Sequence, residues 1–384
     1  MTLLLIQIIF GVSFFLIAHT YIFYPLFLLV LGRKRRKTII VNDCDLPTAS
    51  LIISAYNEEE VIREKIENSL AIDYPRGKLK IIIVSDGSTD ETNRIAREYA
   101  KVGIFLNDFP ERLGKPKTLN KTILQERTTL IILSDANTIY EPDAIKKLVR
   151  NFVDPRIACV CGELKFKGDR KTEVAGLENF YWRFEQFLKK REGERGALLG
   201  ANGGIYAFHR ELFEPLPPNS IVDDFIIPLK MLEKGYKIVY EPEAVGYEKT
   251  TNAISQEMER RIRIGAGDFQ VLFLTQKMLN PNIGFASFAF ISHKLLRWLT
   301  PFFLILLFIS NAILAVGPVW NLVFFLQCLF YLLALFGFLF YTFGLRLRLF
   351  GIPYYFSAMN LALLLGFIRF CSGAQSVTWE KTQR

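Results

Sequence analysis

Oxygen-bearing side chains follow three short apolar runs in the first third of the sequence. Tyr56 and Glu58 follow the first run, Asp86 follows the second, and Asp135 and Asn137 follow the third. Carboxylate and amide oxygens bind hard divalent cations such as Mg²⁺, and carboxylates also accept protons in catalysis. Each motif alone is equally consistent with a turn or a helix N-cap. Three of them in succession, each closing an apolar run, favour a shared ligand site.

The runs that precede these motifs are TASLIISA at 48–55, KIIIVS at 80–85 and LIILS at 130–134. They are short and rich in β-branched residues, and amphipathic helical patterns occupy 59–72 and 91–102. Buried strands that alternate with helices predict a parallel α/β sheet. Such sheets bind ligands at the carboxyl ends of their strands, so the three polar motifs are expected to share one edge.

The apolar residues, 51% of the chain, are concentrated at its two ends. Residues 2–31 contain no Lys, Arg, Asp or Glu, and a stretch of this length crosses a hydrocarbon layer about 30 Å thick. The basic run 33–37 follows directly, so the positive-inside rule predicts an outside N-terminus and a cytoplasmic middle region. Apolar runs at 299–316, 319–343 and 353–370 predict a multi-pass protein of the plasma or inner membrane, with the last run either crossing or re-entering.

The formal net charge is +9, and the cations cluster beside the apolar ends of the chain. An anionic lipid surface explains this clustering better than a nucleic acid does. The five cysteines are odd in number and scattered, which argues against a disulfide scaffold. Cys159 and Cys161 alternate as in a strand and have no predicted chemistry. His19, His209 and His293 have no recognisable partners and are predicted to be structural.

The motifs LIISAYNEE, IVSDGSTD, LGKPKTLN and LSDANT occur in this order and are followed by ENFYWRFEQFLKKREGERGALLGANGGIYAFHR, VDDF and RRIRIGAG. Over roughly 47–267 the chain resembles glycosyltransferase family 2, of the membrane-bound processive type that includes cellulose, hyaluronan and poly-N-acetylglucosamine synthases. The resemblance implies a catalytic domain of the Rossmann-like GT-A fold. We therefore expect an N-terminal transmembrane helix (1–32), a cytoplasmic GT-A catalytic domain (42–253), amphipathic interface helices (254–284), a C-terminal transmembrane region of about three helices (285–376) and a tail (377–384).

By this resemblance, Asp135 is the first acid of the family's metal-binding D-x-D motif, with Mg²⁺ or Mn²⁺ as the implied cofactor. Asn137 stands where the motif has its second acid, and its amide oxygen can ligate a cation without adding charge. The residues implied to bind the UDP-sugar are Tyr56, Glu58, Asp86 and Lys115. For Lys115 the alternative is a solvated surface lysine.

The pair Asp223 and Asp224 resembles the family's acidic dipeptide, whose second member is the general base. As the base, Asp224 takes the proton of the acceptor hydroxyl while that oxygen attacks the anomeric carbon from the side opposite the leaving group, which inverts this centre. Asp223 is alternatively a helix N-cap. Arg263 matches the arginine of the family's Q-x-x-R-W element, whose guanidinium suits a diphosphate. Arg260 and Ile264 replace the Gln and Trp of this element, and the stretch also reads as a basic amphipathic helix on the membrane.

Asn202 lies in a glycine-rich loop where the family places the acceptor. Two acceptors remain open. The three C-terminal apolar runs favour a growing β-linked polysaccharide, whereas Ile264 also allows a lipid, either a polyprenyl phosphate or a glycolipid. A membrane-bound sugar-nucleotide binder without catalysis is a third possibility, supported by Asn137. The sequence indicates neither the sugar that is transferred nor the oligomeric state.

Overall fold

The structure, a computed structural model, describes residues 1–32, 40–167, 173–249, 254–343, 345 and 347–374. Within these ranges, the side chains at 167, 173–181, 249, 254–257 and 348 are not part of the description. The basic run at 33–37 and the tail at 377–384 lie outside the described residues, together with the predictions that rest on them.

The strands of the middle region are β1 (Ala49–Ala55), β2 (Leu79–Asp86), β3 (Ile104–Phe109), β4 (Leu130–Asp135), β5 (Ile139–Tyr140), β6 (Ile157–Lys167), β7 (Tyr206–His209) and β8 (Lys237–Lys249). They form one eight-stranded sheet in the order β3-β2-β1-β4-β7-β6-β8-β5. The three predicted strands are confirmed as β1, β2 and β4, which are parallel neighbours. The sheet is mixed beyond these strands, because β7 pairs antiparallel with β4 and β6, and β5 pairs antiparallel with β8.

Side-chain alternation along β1 explains why two hydrophobic cores form. Ile52 lies in one core with Leu133 of β4, while Leu51 and Ile53 lie in the other. Successive side chains of a strand point to opposite faces, so a strand that is apolar at every position must be covered on both sides. The first core is covered by α5 (Lys115–Gln125), α7 (Glu173–Gly193) and α8 (Asp223–Glu233), and the second by α3 (Ile62–Leu70), α4 (Thr92–Glu98) and α6 (Ala144–Val149).

Four helical segments among the described residues are long and apolar enough to cross a membrane. The first, Thr2–Val30, joins α1 (Thr2–Ala18) and α2 (Tyr24–Val30) through a wider π turn at His19–Phe23. The second, Phe285–Leu314, joins α10 (Phe285–Ala289) and α11 (Leu296–Leu314) through a π turn at Phe290–Leu295. The others are α12 (Pro318–Thr342) and Leu349–Ser372 within α13 (Arg348–Ser372). Each exceeds the roughly 20 residues that a span requires.

The amphipathic stretch after β8 is one helix, α9 (Ile254–Leu274), which packs along α13. A Cβ atom on Gly366 of α13 would lie 2.9 Å from the Cα of Gly265, so the absence of side chains lets the two backbones approach closely. The rings of Phe269 and Phe367 then meet edge to face at 4.9 Å. α9 therefore joins the sheet domain to a candidate membrane helix.

Candidate active site

The three predicted polar motifs lie at one edge of the sheet because β1, β2 and β4 are parallel neighbours. Asp86 is the last residue of β2 and Asp135 is the last residue of β4. Asp135 is in register with Ser54, the penultimate residue of β1, so Tyr56 follows beside it. The sheet thus brings together residues that are about 80 positions apart in the sequence.

Hydrogen bonds join the loop after β1 to the loop after β2. Asn57, the only described non-glycine residue with a positive φ (52°), accepts a bond from the Thr89 amide at 2.8 Å. The Asn57 amide donates to Ser88 Oγ at 3.1 Å, and the Glu58 amide donates to Thr92 Oγ1 at 2.8 Å. These hydroxyl and amide groups hold the two loops in a fixed relative position, which explains why the turn at 86–92 is rich in Ser and Thr.

The loop that precedes Lys115 is hydrogen-bonded to the last residue of β2. Asp86 accepts hydrogen bonds from the amides of Leu113 at 2.7 Å and Gly114 at 3.0 Å, and it is 4% exposed. Gly87 has a φ of +70°, and a Cβ there would lie 2.7 Å from the Arg112 amide nitrogen. Only glycine fits this turn, because it tolerates both the left-handed backbone and the close approach.

Tyr56 carries a cation against its ring. The Arg112 guanidinium lies 3.8 Å from the ring centroid, within the range of a cation–π contact. Sequence reasoning missed Arg112. Its position two residues before the Gly114-Lys115 motif is the signal that would have found it.

Lys115 lies between carboxylates. Its Nζ atom is 3.1 Å from Asp135 Oδ1 and 3.6 Å from Asp223 Oδ1, and its side chain is 15% exposed. Burial acts to lower the pKa of Lys115, but the negative charges of Asp135, Asp223 and Asp224 raise it above its ordinary value. A buried, charged lysine that bridges two acids differs from the solvated surface lysine that was the alternative.

The acid pair begins α8. Asp223 is the first residue of the helix and Val222 occupies the N-cap, so the alternative assignment of Asp223 as the N-cap is wrong. Asp223 accepts a hydrogen bond from the Tyr206 hydroxyl at 3.3 Å. Burial, and then the neighbouring charge of Asp223, raise the pKa of Asp224 to about 6, although Lys115 and Lys189 oppose this rise. A carboxylate with this pKa can exchange a proton near neutral pH.

Gly203 separates the two principal carboxylates of the cluster. A Cβ atom on Gly203 would lie 3.3 Å from Asp224 Oδ2 and 3.6 Å from Asp135 Oδ2. Both oxygens therefore surround the same small volume, although the residues are 89 positions apart in the sequence. This convergence, with Lys115 reaching Asp135 and Asp223, is the central geometric feature of the site.

Asn202 is 7% exposed, and its side chain is engaged by the protein itself. Its amide group donates to the Gly162 carbonyl at 2.8 Å, and its Oδ1 accepts from Lys189 Nζ at 2.6 Å. Sequence reasoning missed Lys189, which lies on α7. Because the Ala201 amide donates to the Asp224 carbonyl at 2.9 Å, Lys189 and Asn202 support the backbone that touches the acid pair.

Arg263 of α9 lies within electrostatic reach of the acids. Its guanidinium is largely buried; desolvation, and then the nearby charge of Arg260, lower its pKa, while Asp224, Asp223 and Asp135 act to raise it. Arg260 is exposed. Of the two arginines, Arg263 thus interacts electrostatically with the acids, whereas Arg260 is exposed at the protein surface.

The described residues contain no ready-made group of three or more His, Cys, Asp or Glu that could hold a metal ion. Asp135 supplies one carboxylate and Asn137 one amide at the end of β4. Mg²⁺ is commonly held by one or two carboxylates together with substrate phosphates and water. The donor set therefore fits a cation that binds together with a nucleotide diphosphate.

The comparison with solved structures identifies the fold. The structure resembles that of a mannosyltransferase from Pyrobaculum calidifontis, solved with GDP-Man and Mn²⁺, with a TM-score of 0.68 at 21% identity. The alignment covers 94% of this chain and 99% of that one. The likeness identifies the GT-A fold: a mixed sheet with helices, here flanked by candidate membrane helices on both sides.

The family follows from the sequence of the same region. Residues 50–216 match the model of glycosyl transferase family 2, so the chain contains a domain of this family, as its motifs predicted. Poly-beta-1,6-N-acetyl-D-glucosamine synthase of Staphylococcus aureus (strain COL) is 27% identical over 239 residues, and that of Staphylococcus epidermidis is 26% identical over 230 residues. The matches cover 60% and 58% of this chain, and 57% and 55% of the relatives' length.

Proposed function

We propose that this chain is an inverting glycosyltransferase that moves a sugar from a UDP-sugar to a saccharide acceptor at a membrane and so extends a β-linked exopolysaccharide. The observation that carries the proposal is the convergence of Asp135 and Asp224 across Gly203, with Lys115 reaching both Asp135 and Asp223. The names of the Staphylococcus relatives support a polysaccharide product.

The donor binds at the ends of β1 and β2 in this proposal. Tyr56, with Arg112 against its ring, and Glu58 line the side where the base and ribose lie, and Asp86 holds the 113–114 backbone that presents Lys115. Lys115 faces the diphosphate with its positive charge. Donor affinity then depends on residues of the sheet edge.

Asp135 and Asn137 would hold Mg²⁺ or Mn²⁺, and this cation would supply positive charge to neutralise the diphosphate leaving group. Arg263 adds a second positive charge near the same oxygens, since it lies within electrostatic reach of Asp135. A bidentate guanidinium suits two phosphate oxygens. Arg260 contributes at longer range.

Asp224 is the general base. It accepts the proton of the acceptor hydroxyl as that oxygen forms a bond to the anomeric carbon. The bond from this carbon to the diphosphate breaks at the same time, and its electron pair leaves with UDP. Because attack comes from the side opposite the leaving group, an α-linked donor yields a β-linked product. Burial raises the pKa of this base, and the negative charge of the adjacent Asp223 adds to the rise.

The arrangement in the membrane is part of the proposal. The domain at 42–253 lies in the cytoplasm, where UDP-sugars are available, with membrane helices at 1–32 and 285–376 and interface helices at 254–284. The basic sequence 33–37 supports this orientation through the positive-inside rule. The three C-terminal apolar segments would then provide the passage by which the growing chain crosses the membrane.

The test uses the full chain in membranes with radiolabelled UDP-sugars and Mn²⁺. Asp224→Asn should abolish transfer and leave UDP binding within about twofold, because it removes the base but not the donor pocket. Asp135→Ala should abolish the Mn²⁺-dependent part of UDP binding. Asp154→Asn is the matched control, since Asp154 pairs with Arg156 just before the first residue of β6, away from the acids of the site.

A high-mass product that a glycosidase degrades supports the polysaccharide assignment, whereas an organic-extractable product identifies a lipid acceptor instead. Retained transfer in the Asp224→Asn variant would refute the role of the base. Unchanged Mn²⁺ titration in the Asp135→Ala variant would refute the cation site.

A further inference from the structure

Two buried glutamates of α7 face the candidate membrane helices. Glu185 is 9% exposed and Glu192 is fully buried. They are seven residues apart, which is two helical turns, so they lie on one side of α7. A carboxylate in such surroundings is stable only with charged or hydrogen-bonding partners. Their partners come from the segments Thr2–Val30 and Phe285–Leu314.

The contacts of the two carboxylates are numerous and short. Glu192 Oε1 accepts from the Tyr24 hydroxyl at 2.8 Å and lies 2.7 Å from His293 Nδ1. Glu185 Oε1 accepts from Lys294 Nζ at 2.7 Å. His293 Nε2 lies 3.2 Å from Glu185 Oε1, so the imidazole bridges the two acids. We call this cluster the α7 joint; its members are Tyr24, Glu185, Glu192, His293, Lys294 and Arg297.

Arg297 completes the charge balance of the α7 joint. Its Nη1 donates to Glu185 Oε2 at 2.5 Å. Burial acts to raise the pKa of Glu185, but Lys294, Arg297 and His293 lower it well below its ordinary value. Glu185 is therefore an ionised carboxylate held by two cations of one membrane-segment helix.

The α7 joint reaches the acid pair through Phe225, the residue after Asp224. Lys294 Nζ lies 5.3 Å from the Phe225 ring centroid, and the Trp298 ring lies 6.0 Å away. The ring also packs so closely on Gly200 that a Cβ there would lie 2.5 Å from a ring carbon. Phe225 thus packs against both the second apolar segment and the glycine-rich loop.

A second connection runs through α7 itself. Lys189 lies between Glu185 and Glu192 in the sequence, and its Nζ binds Asn202 Oδ1 at 2.6 Å. The adjacent Ala201 amide donates to the Asp224 carbonyl. A shift of α7 relative to the membrane segments would therefore move the loop that touches Asp224.

We propose that Glu185 and Glu192 are positioning residues that link the packing of the first two apolar segments on α7 to the position of Asp224. Sugar transfer then requires both segments to be packed against α7. This inference rests on the proposed function, in which Asp224 is the base. The contacts of Lys189 and Phe225 lead from the α7 joint to Asp224 and the 200–202 loop rather than to the ends of β1 and β2, so we expect donor binding to be independent of the joint.

The variants are Glu185→Gln, Glu192→Gln and Lys294→Met in the full chain, with Lys294→Arg as the conservative variant. Glu259→Gln is the matched control: Glu259 also pairs with a membrane-segment residue, Arg369, but its side chain is 60% exposed. Exposed pairs contribute little, so kcat of the control should stay within about twofold.

We expect kcat of the three charge-removing variants to fall about 10-fold to 100-fold, since displacement of a catalytic group by about 1 Å costs up to that factor. The KM for the UDP-sugar and the affinity for UDP should stay within about twofold. Lys294→Arg should recover most of the lost rate. Amide hydrogen exchange of 198–204 and 222–226 should become faster in Glu185→Gln and not in Glu259→Gln.

Wild-type kcat in both glutamate variants overturns the inference. So does a parallel loss of UDP binding, which would assign the residues to folding of the whole chain, and so does a Lys294→Arg variant as poor as Lys294→Met. The exchange comparison needs no turnover. If Asp224→Asn stays active while exchange responds to Glu185→Gln, the proposed base is wrong and the mechanical link is right.

Discussion

The glycine pair at 203 and 204 allows a test in which one added methyl group separates catalysis from stability. Neither residue has a positive φ, so alanine adopts both backbone conformations without strain. A Cβ on Gly203 enters the space between Asp224 and Asp135, whereas a Cβ on Gly204 enters packed side chains. The two variants carry the same substitution, glycine to alanine, at adjacent positions.

The added Cβ of Gly204→Ala would collide with Thr138 Oγ1 and lie 2.7 Å from Glu248 Oε1. These two atoms are hydrogen-bonded to each other at 2.7 Å, so neither moves without loss of that bond. Overpacking of this kind costs about 1–3 kcal/mol. For a domain of 150–250 residues, each kcal/mol lowers Tm by about 2–4 °C, so we expect a decrease of several degrees.

The added Cβ of Gly203→Ala would be 3.3 Å from Asp224 Oδ2, a contact that a shift of a few tenths of an ångström relieves. Tm should therefore stay within about 1 °C, since a relieved contact leaves little of the overpacking cost. The shift displaces the base, and scaling from about 100-fold per 1 Å predicts a fall in kcat of about fivefold to tenfold.

The assays are thermal unfolding in detergent with Mn²⁺ and UDP, and initial rates at saturating donor. Wild-type kcat in Gly203→Ala would show that Asp224 and Asp135 do not act across this gap. A wild-type Tm in Gly204→Ala would show that Thr138 and Glu248 are not packed as described. A drop in Tm that is equal in both variants would refute the distinction between them.

Two further predictions concern pH. Asp224 must be ionised to act as the base, and its pKa is raised to about 6, so kcat/KM should fall about tenfold per pH unit below pH 6. An ordinary Asp, with a pKa of about 3.9, would keep its rate down to about pH 4. Asp223→Asn removes a neighbouring negative charge and should move the acidic limb of the pH profile to lower pH; an unchanged limb would contradict the assignment of the base. Burial lowers the pKa of Lys65 to about 7, so between about pH 7 and 10.5 the unfolded chain binds more protons than the folded chain. The free energy of unfolding should therefore rise with pH in this range. When Tm is measured against pH, the rise should be absent in Lys65→Met, and a parallel rise in both proteins would count against a buried Lys65.

Local sequence patterns were sufficient for the elements whose signals are local. The β-branched runs that became β1, β2 and β4 each ended in turn-forming residues, and the uncharged stretches at both ends were long enough to cross a membrane. The motifs after these strands predicted the family and the GT-A fold. Asp86 and Asp135 were expected directly after their apolar runs, and they are the last residues of β2 and β4, while Asp223 and Asp224 begin α8.

Tertiary structure alone decided which of these groups meet. The antiparallel insertion of β7 between β4 and β6 brings the 200–204 loop to the acids, and no local pattern predicts pairing between strands so far apart in the chain. Lys115 and Asp223 are 108 positions apart, and Glu192 and Tyr24 are 168 apart. Periodicity reports which face of an element is apolar, but not which distant element covers it.

The resemblance of the ordered motifs to a family therefore predicted a transferase site, whereas the packing of the acids decides their pKa values. Burial raises the pKa of Asp224 and Lys115 opposes that rise from a separate helix. The sequence assigned no role to Glu185 or Glu192, whose partners are brought to them by the apolar helices. Charge and hydrogen-bond partners of buried groups depend on three-dimensional proximity, which a linear sequence does not state.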